Sequence, residues 1–76
     1  MSQAKDILEA LGGAGNITEL DSCITRLRVE VADPQKVDQD ALTQAGVFGV
    51  VAVGSAIQVV VGPTADQVAE DIAELR

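Results

Sequence analysis

The run VFGVVAVGSAIQVVVG, residues 47 to 62, restricts the fold more than any other stretch of this chain. Valine and isoleucine dominate both halves, and β-branched residues suit a pleated, half-buried surface better than a helix. Gly54-Ser55 between the halves supplies the positive φ that a tight hairpin turn demands, so the run reads as two antiparallel strands. Gly49 is expected at a bulge or at a close backbone approach. A third strand is written in TRLRVEV, where Leu27, Val29 and Val31 fall on one face and Arg26, Arg28 and Glu30 on the other. That alternation describes a strand buried on one side with a polar outer face. ITELDS before it reads as a fourth strand of imperfect alternation, with Cys23 at its end or in the following loop.

Helices fill the remainder. Behind Ser2, the segment QAKDILEALGG places Ala4, Ile7, Leu8 and Leu11 at i, i+3, i+4 and i+7, and Gly12-Gly13 gives a left-handed stop. In DPQKVDQDALTQAG, Asp33-Pro34 marks a turn or a helix start, and the preferred reading is a turn followed by a short helix from about Asp38 to a stop at Gly46. PTADQVAEDIAELR opens with Thr64 and Gln67 at capping-box spacing and sets Val68, Ile72 and Leu75 on one stripe. The order α-β-β-α-β-β-α then predicts an α+β two-layer sandwich: a four-stranded, mainly antiparallel sheet with three helices on one face and the other face open to solvent. No repeat, linker or low-complexity tract divides the chain, so residues 1–76 are expected to form a single domain.

Composition narrows the function. A chain of 76 residues hides only about 60% of the surface its unfolded form exposes. With Phe48 as the single aromatic, its core has to be built from Val, Ile, Leu and Ala. A net charge of -7 opposes binding to nucleic acid or to an anionic bilayer. No apolar run approaches the roughly 20 residues that span a membrane, and MSQAKDILEA lacks the apolar region of a secretory signal, so a cytoplasmic location is expected. One cysteine and no histidine leave no internal disulfide and no credible zinc or iron site. Neither a metal nor another cofactor is expected.

The cysteine lies in LDSCITRLRVEV, followed at once by two of the chain's five basic residues. A lone intracellular cysteine is commonly a small core hydrophobe. Cys23 differs in having polar neighbours at the junction of two strands, where loop N–H groups and arginines favour a thiolate and can hold a phosphate. Arg26 and Arg28, two apart on a strand, leave from the same solvent-facing side and can act on one anion, although cross-strand pairing with Glu30 or Glu19 is an alternative use. Asp21 adds an opposing negative charge near the thiol, and its expected role is to hold a turn N–H or orient an arginine. A cysteine hydrolase needs a neighbouring base, and a thiol–disulfide enzyme a second cysteine; both are missing. A thiol that receives a group from one partner and passes it to another can leave the missing acid–base groups on those partners, which makes a phosphoryl relay. The competing reading is a non-catalytic α+β module that binds a small ligand or regulates, with Cys23 buried.

LDSCITRLRVEV, the downstream VDQDAL, and GVVAVGSAIQVVVG resemble, in order and spacing, the IIB domains (type 1) of the glucose/N-acetylglucosamine branch of the bacterial sugar phosphotransferase system. The likeness runs from about Leu8 to Ile72. It implies that Cys23 takes a phosphoryl group from a phosphohistidine on a IIA protein or domain and gives it to a sugar bound by the membrane-embedded IIC permease. By the same resemblance Arg26, Arg28 and Gln58 lie near the phosphoryl group. Gln58 also fits by alternation, since Ile57, Val59 and Val61 should face the core and Gln58 the open side. Amides around Ile24 and Thr25, with Arg26, would neutralise the phosphoryl oxygens. The chain is expected to be monomeric alone. Ser22, where many relatives carry alanine, and Phe48, where a small residue is common, depart from the family pattern without touching this chemistry.

Overall fold

The computed structural model describes residues 3–76, so Ser2 lies outside the described residues. Helix α1 spans Gln3–Ala10, strands β1 and β2 span Ile17–Cys23 and Arg26–Val31, helix α2 spans Gln39–Gln44, strands β3 and β4 span Gly49–Val53 and Ala56–Val60, and helix α3 spans Ala65–Leu75. The strands form one antiparallel sheet in the order β1-β2-β4-β3. This is the α+β arrangement expected from the sequence, with one helix layer against the sheet.

Strand period two explains the layering. Leu27, Val29 and Val31 on β2 and Ile57 and Val59 on β4, continued by Val61, are buried, and they meet Ala4, Ile7, Leu8 and Leu11 of the first helical segment, Leu42 of α2, and Val68 and Ile72 of α3 in one aliphatic core. The intervening residues Arg26, Arg28 and Glu30 are therefore exposed on the opposite face. The single aromatic takes no part in this core: Phe48 is 76% exposed.

Three local expectations turn out differently. Gly49 simply begins β3, in register with Val60, and nothing approaches the position of its absent Cβ. The irregularity lies instead in β1, between Ile17 and Glu19, which is why ITELDS alternates imperfectly. At α3, Thr64 is the N-cap residue but its side chain makes no capping hydrogen bond, and Gln67 Nε2 donates to Asp71; with φ -92° and ψ 13°, Thr64 lacks the extended backbone that aims a capping hydroxyl at the first amides. Leu75, assigned to the buried stripe, is 48% exposed because α3 ends there, beyond the reach of the sheet. The second helix does begin where Asp38 predicts, with its carboxylate accepting from the Ala41 N–H.

A contact not foreseen from the sequence closes the helix side. Asn16, the one buried polar residue among those described, ends a short 3-10 turn over residues 14–16. Its Nδ2 donates to the carbonyls of Leu11 and Asp33, and its Oδ1 accepts from the Asp33 N–H. Three main-chain groups from two loops thus depend on one amide, and loss of either partner leaves buried polar atoms unpaired. Asn16→Ala is expected to lower unfolding free energy by at least about 2 kcal/mol, read from the denaturation midpoint in urea; a loss too small to resolve would show that water replaces the amide.

Candidate functional site

β1 and β2 are joined by a two-residue turn, Ile24-Thr25, closed by the pairing of Cys23 with Arg26. Cys23 is an exposed free thiol. Register does the rest: Asp21 stands opposite Arg28, Arg28 opposite Gln58, and Arg26 opposite Val60, so side chains from three strands converge on the open face. Cys23, Ile24, Thr25, Arg26, Arg28 and Gln58 line one shallow depression of about 370 Å³. The residues singled out in the sequence for anion chemistry are brought together there. Asp21 is the exception, lining a neighbouring depression with Arg28, Gln58 and Glu30.

Arg26 Nη1 donates to Gln58 Oε1 over 2.8 Å, fixing the guanidinium across the β2–β4 pair. Neither Arg26 nor Arg28 has a carboxylate at ion-pairing distance among the described residues, so the alternative of cross-strand pairing with Glu30 or Glu19 is not realised. Asp21 orients no arginine either. Its Oδ1 accepts from the Ser22 N–H, a contact within its own strand, because its carboxylate turns along β1 rather than across to Arg28.

The turn itself is strained. Ile24 has φ 48°, in the left-handed region that a β-branched side chain rarely enters, at a cost of about 1–3 kcal/mol. The conformation is held from below, where the Thr25 carbonyl accepts from both the Val61 N–H (3.0 Å) and the Gly62 N–H (2.9 Å). Among the described residues, the N–H groups of Ile24 and Thr25 donate to no backbone carbonyl, and Ile24 is 84% exposed at the tip. Two main-chain donors, an exposed thiol and two unneutralised guanidinium groups therefore surround one small volume. That combination suits a tetrahedral oxyanion such as a phosphoryl group, whose charge is spread over several oxygens that each need a donor.

Two features escaped the sequence reading. Ser22 Oγ donates to Asp66 Oδ1 (2.8 Å), tying the strand that carries Cys23 to the first turn of α3. The paired amides on the Thr25 carbonyl are main-chain contacts and leave no side-chain signature. Val51 and Val53 of β3 are exposed, Val51 in register with Gln58.

The chain is similar in sequence and in fold to known proteins. The family model for the phosphotransferase system, EIIB, matches residues 5–38. A curated protein of Streptomyces coelicolor, the "PTS system N-acetylglucosamine-specific EIIB component", is 51% identical over 74 residues, covering 97% of this chain and 96% of its own. Among solved structures, one domain of the PTS system IIabc component from Clostridium difficile superposes with a TM-score of 0.80 at 25% identity, covering 95% of this chain and 76% of that one.

An exposed thiol at a turn predicts complete, single-site labelling of the folded chain by iodoacetamide, measured by intact mass. Protection of Cys23 until denaturant is added would contradict the exposure on which the site depends.

Proposed function

The chain belongs to the EIIB family of the phosphotransferase system, and from that premise we propose that Cys23 is its phosphoryl carrier. The donor is a phosphohistidine on a IIA protein or domain, and the acceptor is a sugar held by the membrane IIC permease. The name of the Streptomyces relative makes N-acetylglucosamine the favoured sugar. The observation that carries this reading is the single depression in which the Cys23 thiol, Arg26, Arg28, Gln58 and the turn amides meet.

In the first transfer the Cys23 thiolate attacks phosphorus in line, the S–P bond forms, and the P–N bond breaks with its electron pair returning to the donor's imidazole. Arg26 and the N–H groups of Ile24 and Thr25 take the equatorial oxygens, while Arg28 adds positive charge from the adjacent position on β2. In the second transfer a sugar hydroxyl attacks the same phosphorus, the O–P bond forms, the S–P bond breaks, and the thiolate is regenerated. The hydroxyl proton leaves to a base on the permease, since this chain has no histidine to accept it. Loss of a guanidinium should cost this step more, because the first transfer starts from a phosphohistidine that is already a high-energy donor.

The location follows from the partners: the chain works at the cytoplasmic side of the membrane through IIC, and no helix among the described residues is long and apolar enough to cross it. Docking on each partner in turn requires a small transient contact, below about 1,200 Å², around the arginine-bearing rim.

Incubation with a phosphorylated IIA donor is expected to add one phosphoryl group to the wild-type chain, seen by intact mass, and none to Cys23→Ser. That substitution should change stability by no more than about 0.5 kcal/mol, since the side chain is exposed. Sugar phosphorylation by the serine variant in a reconstituted relay would refute the assignment. Arg26→Lys and Arg28→Lys keep a charge without the planar fork. Each is expected to retain most Cys23 phosphorylation and lose most sugar phosphorylation; full turnover in both would leave the thiol and turn amides as the whole site.

A further inference from the structure

We propose that Gly62 is a positioning residue for the Cys23 turn, acting through the main chain rather than by touching the phosphoryl group. The inference rests on the relay reading above. Thr25 and Arg26 share a peptide plane, and a planar peptide cannot move its carbonyl without moving the N–H at its other end. The Thr25 carbonyl is gripped by two amides, from Val61 and Gly62. The Arg26 N–H, and with it the start of β2 that aims the guanidinium at Gln58, is thereby fixed from the far end of β4.

Three observations make Gly62 the critical half of this grip. Its φ is 90°, where L side chains are rarely found. A Cβ there would lie 2.7 Å from Phe48 Cε2, so a side chain has to displace the ring or the backbone. Phe48 is exposed and its ring can turn aside, although its N–H donates to the Val60 carbonyl over 2.7 Å, so the positive φ is the stricter constraint. The Gly62 carbonyl then accepts from the Ala65 N–H and starts α3. One glycine thus connects the end of β4, the first turn of α3 and the turn bearing Cys23. The exposed aromatic beside it has a structural use: Phe48 occupies the space over Gly62 that any larger residue would need.

The turn requires such a grip because Ile24 at φ 48° has a lower-energy conformation available. Released, the turn would relax, and the free amides of Ile24 and Thr25 would leave the geometry that meets the phosphoryl oxygens. A misplacement of this kind reduces the rate of a transfer step without weakening the docking of the donor.

The test is single-turnover phosphorylation of Cys23 by the phosphorylated IIA donor, followed by quenched intact mass at several donor concentrations. Gly62→Ala is the simple variant. A second removes only the hydrogen-bond donor: because Cys23 is the sole cysteine, residues 23–76 can be made synthetically with an ester in place of the Val61–Gly62 amide and ligated to residues 1–22. Both proteins should lose at least about tenfold in maximal rate with the half-saturating donor concentration unchanged within about twofold. Iodoacetamide should still label Cys23 completely in each. The ester protein decides the matter if the alanine variant fails to fold. An ester protein that matches the wild-type rate, or that changes only its half-saturating concentration, overturns the role of Gly62. A wild-type chain that accepts no phosphoryl group fails at an earlier point, removing the relay reading and this inference together.

Discussion

Everything in this molecule depends on the two-residue period of the central strand pair. Burying Leu27, Val29 and Val31 on β2 against Ile57 and Val59 on β4 supplies the middle of the aliphatic core. The same geometry leaves Arg26, Arg28 and Gln58 nowhere to go except the open face. Core and site are therefore the two sides of one pattern, and a one-residue slip of register would exchange them, placing guanidinium groups among aliphatic side chains. Stability and function select for the same register.

The division of charge follows the same plan. From Ala41 to Ala65 the chain carries no ionisable side chain, so the whole β3–β4 hairpin is uncharged, and the net charge of -7 is spread over the helices and the β1–β2 half of the sheet. Across the open face the composition passes from Glu19, Asp21, Arg26 and Arg28 on one side to Val51 and Val53 on the other. The arginines stand at the boundary. An anion reaching Cys23 meets the arginines of β2 with the uncharged hairpin beyond them, and Asp21 on the strand of the thiol itself.

Much of this was legible in the sequence because it depends on periodicity. Alternation in TRLRVEV and in the valine-rich hairpin set the sheet, its faces and the side on which Gln58 emerges. The amphipathic spacing of Ile7, Leu8 and Leu11 set the first helix. The candidate site was readable from chemistry, as the only thiol lies next to two arginines in a chain poor in cations. What could not be read were contacts formed by groups that every residue has. The Thr25 carbonyl accepts two amides that any sequence would offer, and nothing in the identity of Val61 announces it. Asn16 and Asp66 are ordinary loop and helix residues until the fold brings Asp33 and Ser22 against them. The capping box failed because Thr64 and Gln67 have the spacing, but the Thr64 backbone lies outside the extended region a capping side chain requires.

The bond between Arg26 and Gln58 separates two properties that a carboxylate would have bound together. An aspartate or glutamate at position 58 could hold the guanidinium just as firmly, but it would cancel the charge it was aiming and would repel any incoming oxyanion. A primary amide accepts the N–H through a neutral oxygen, so the arginine is oriented while its full field remains available. Its NH₂ group, on the other branch of the same side chain, adds a donor where a carboxylate would present a second negative oxygen. Position 58 thus restrains a cation without discharging it, and the guanidinium meets the cargo with its charge intact.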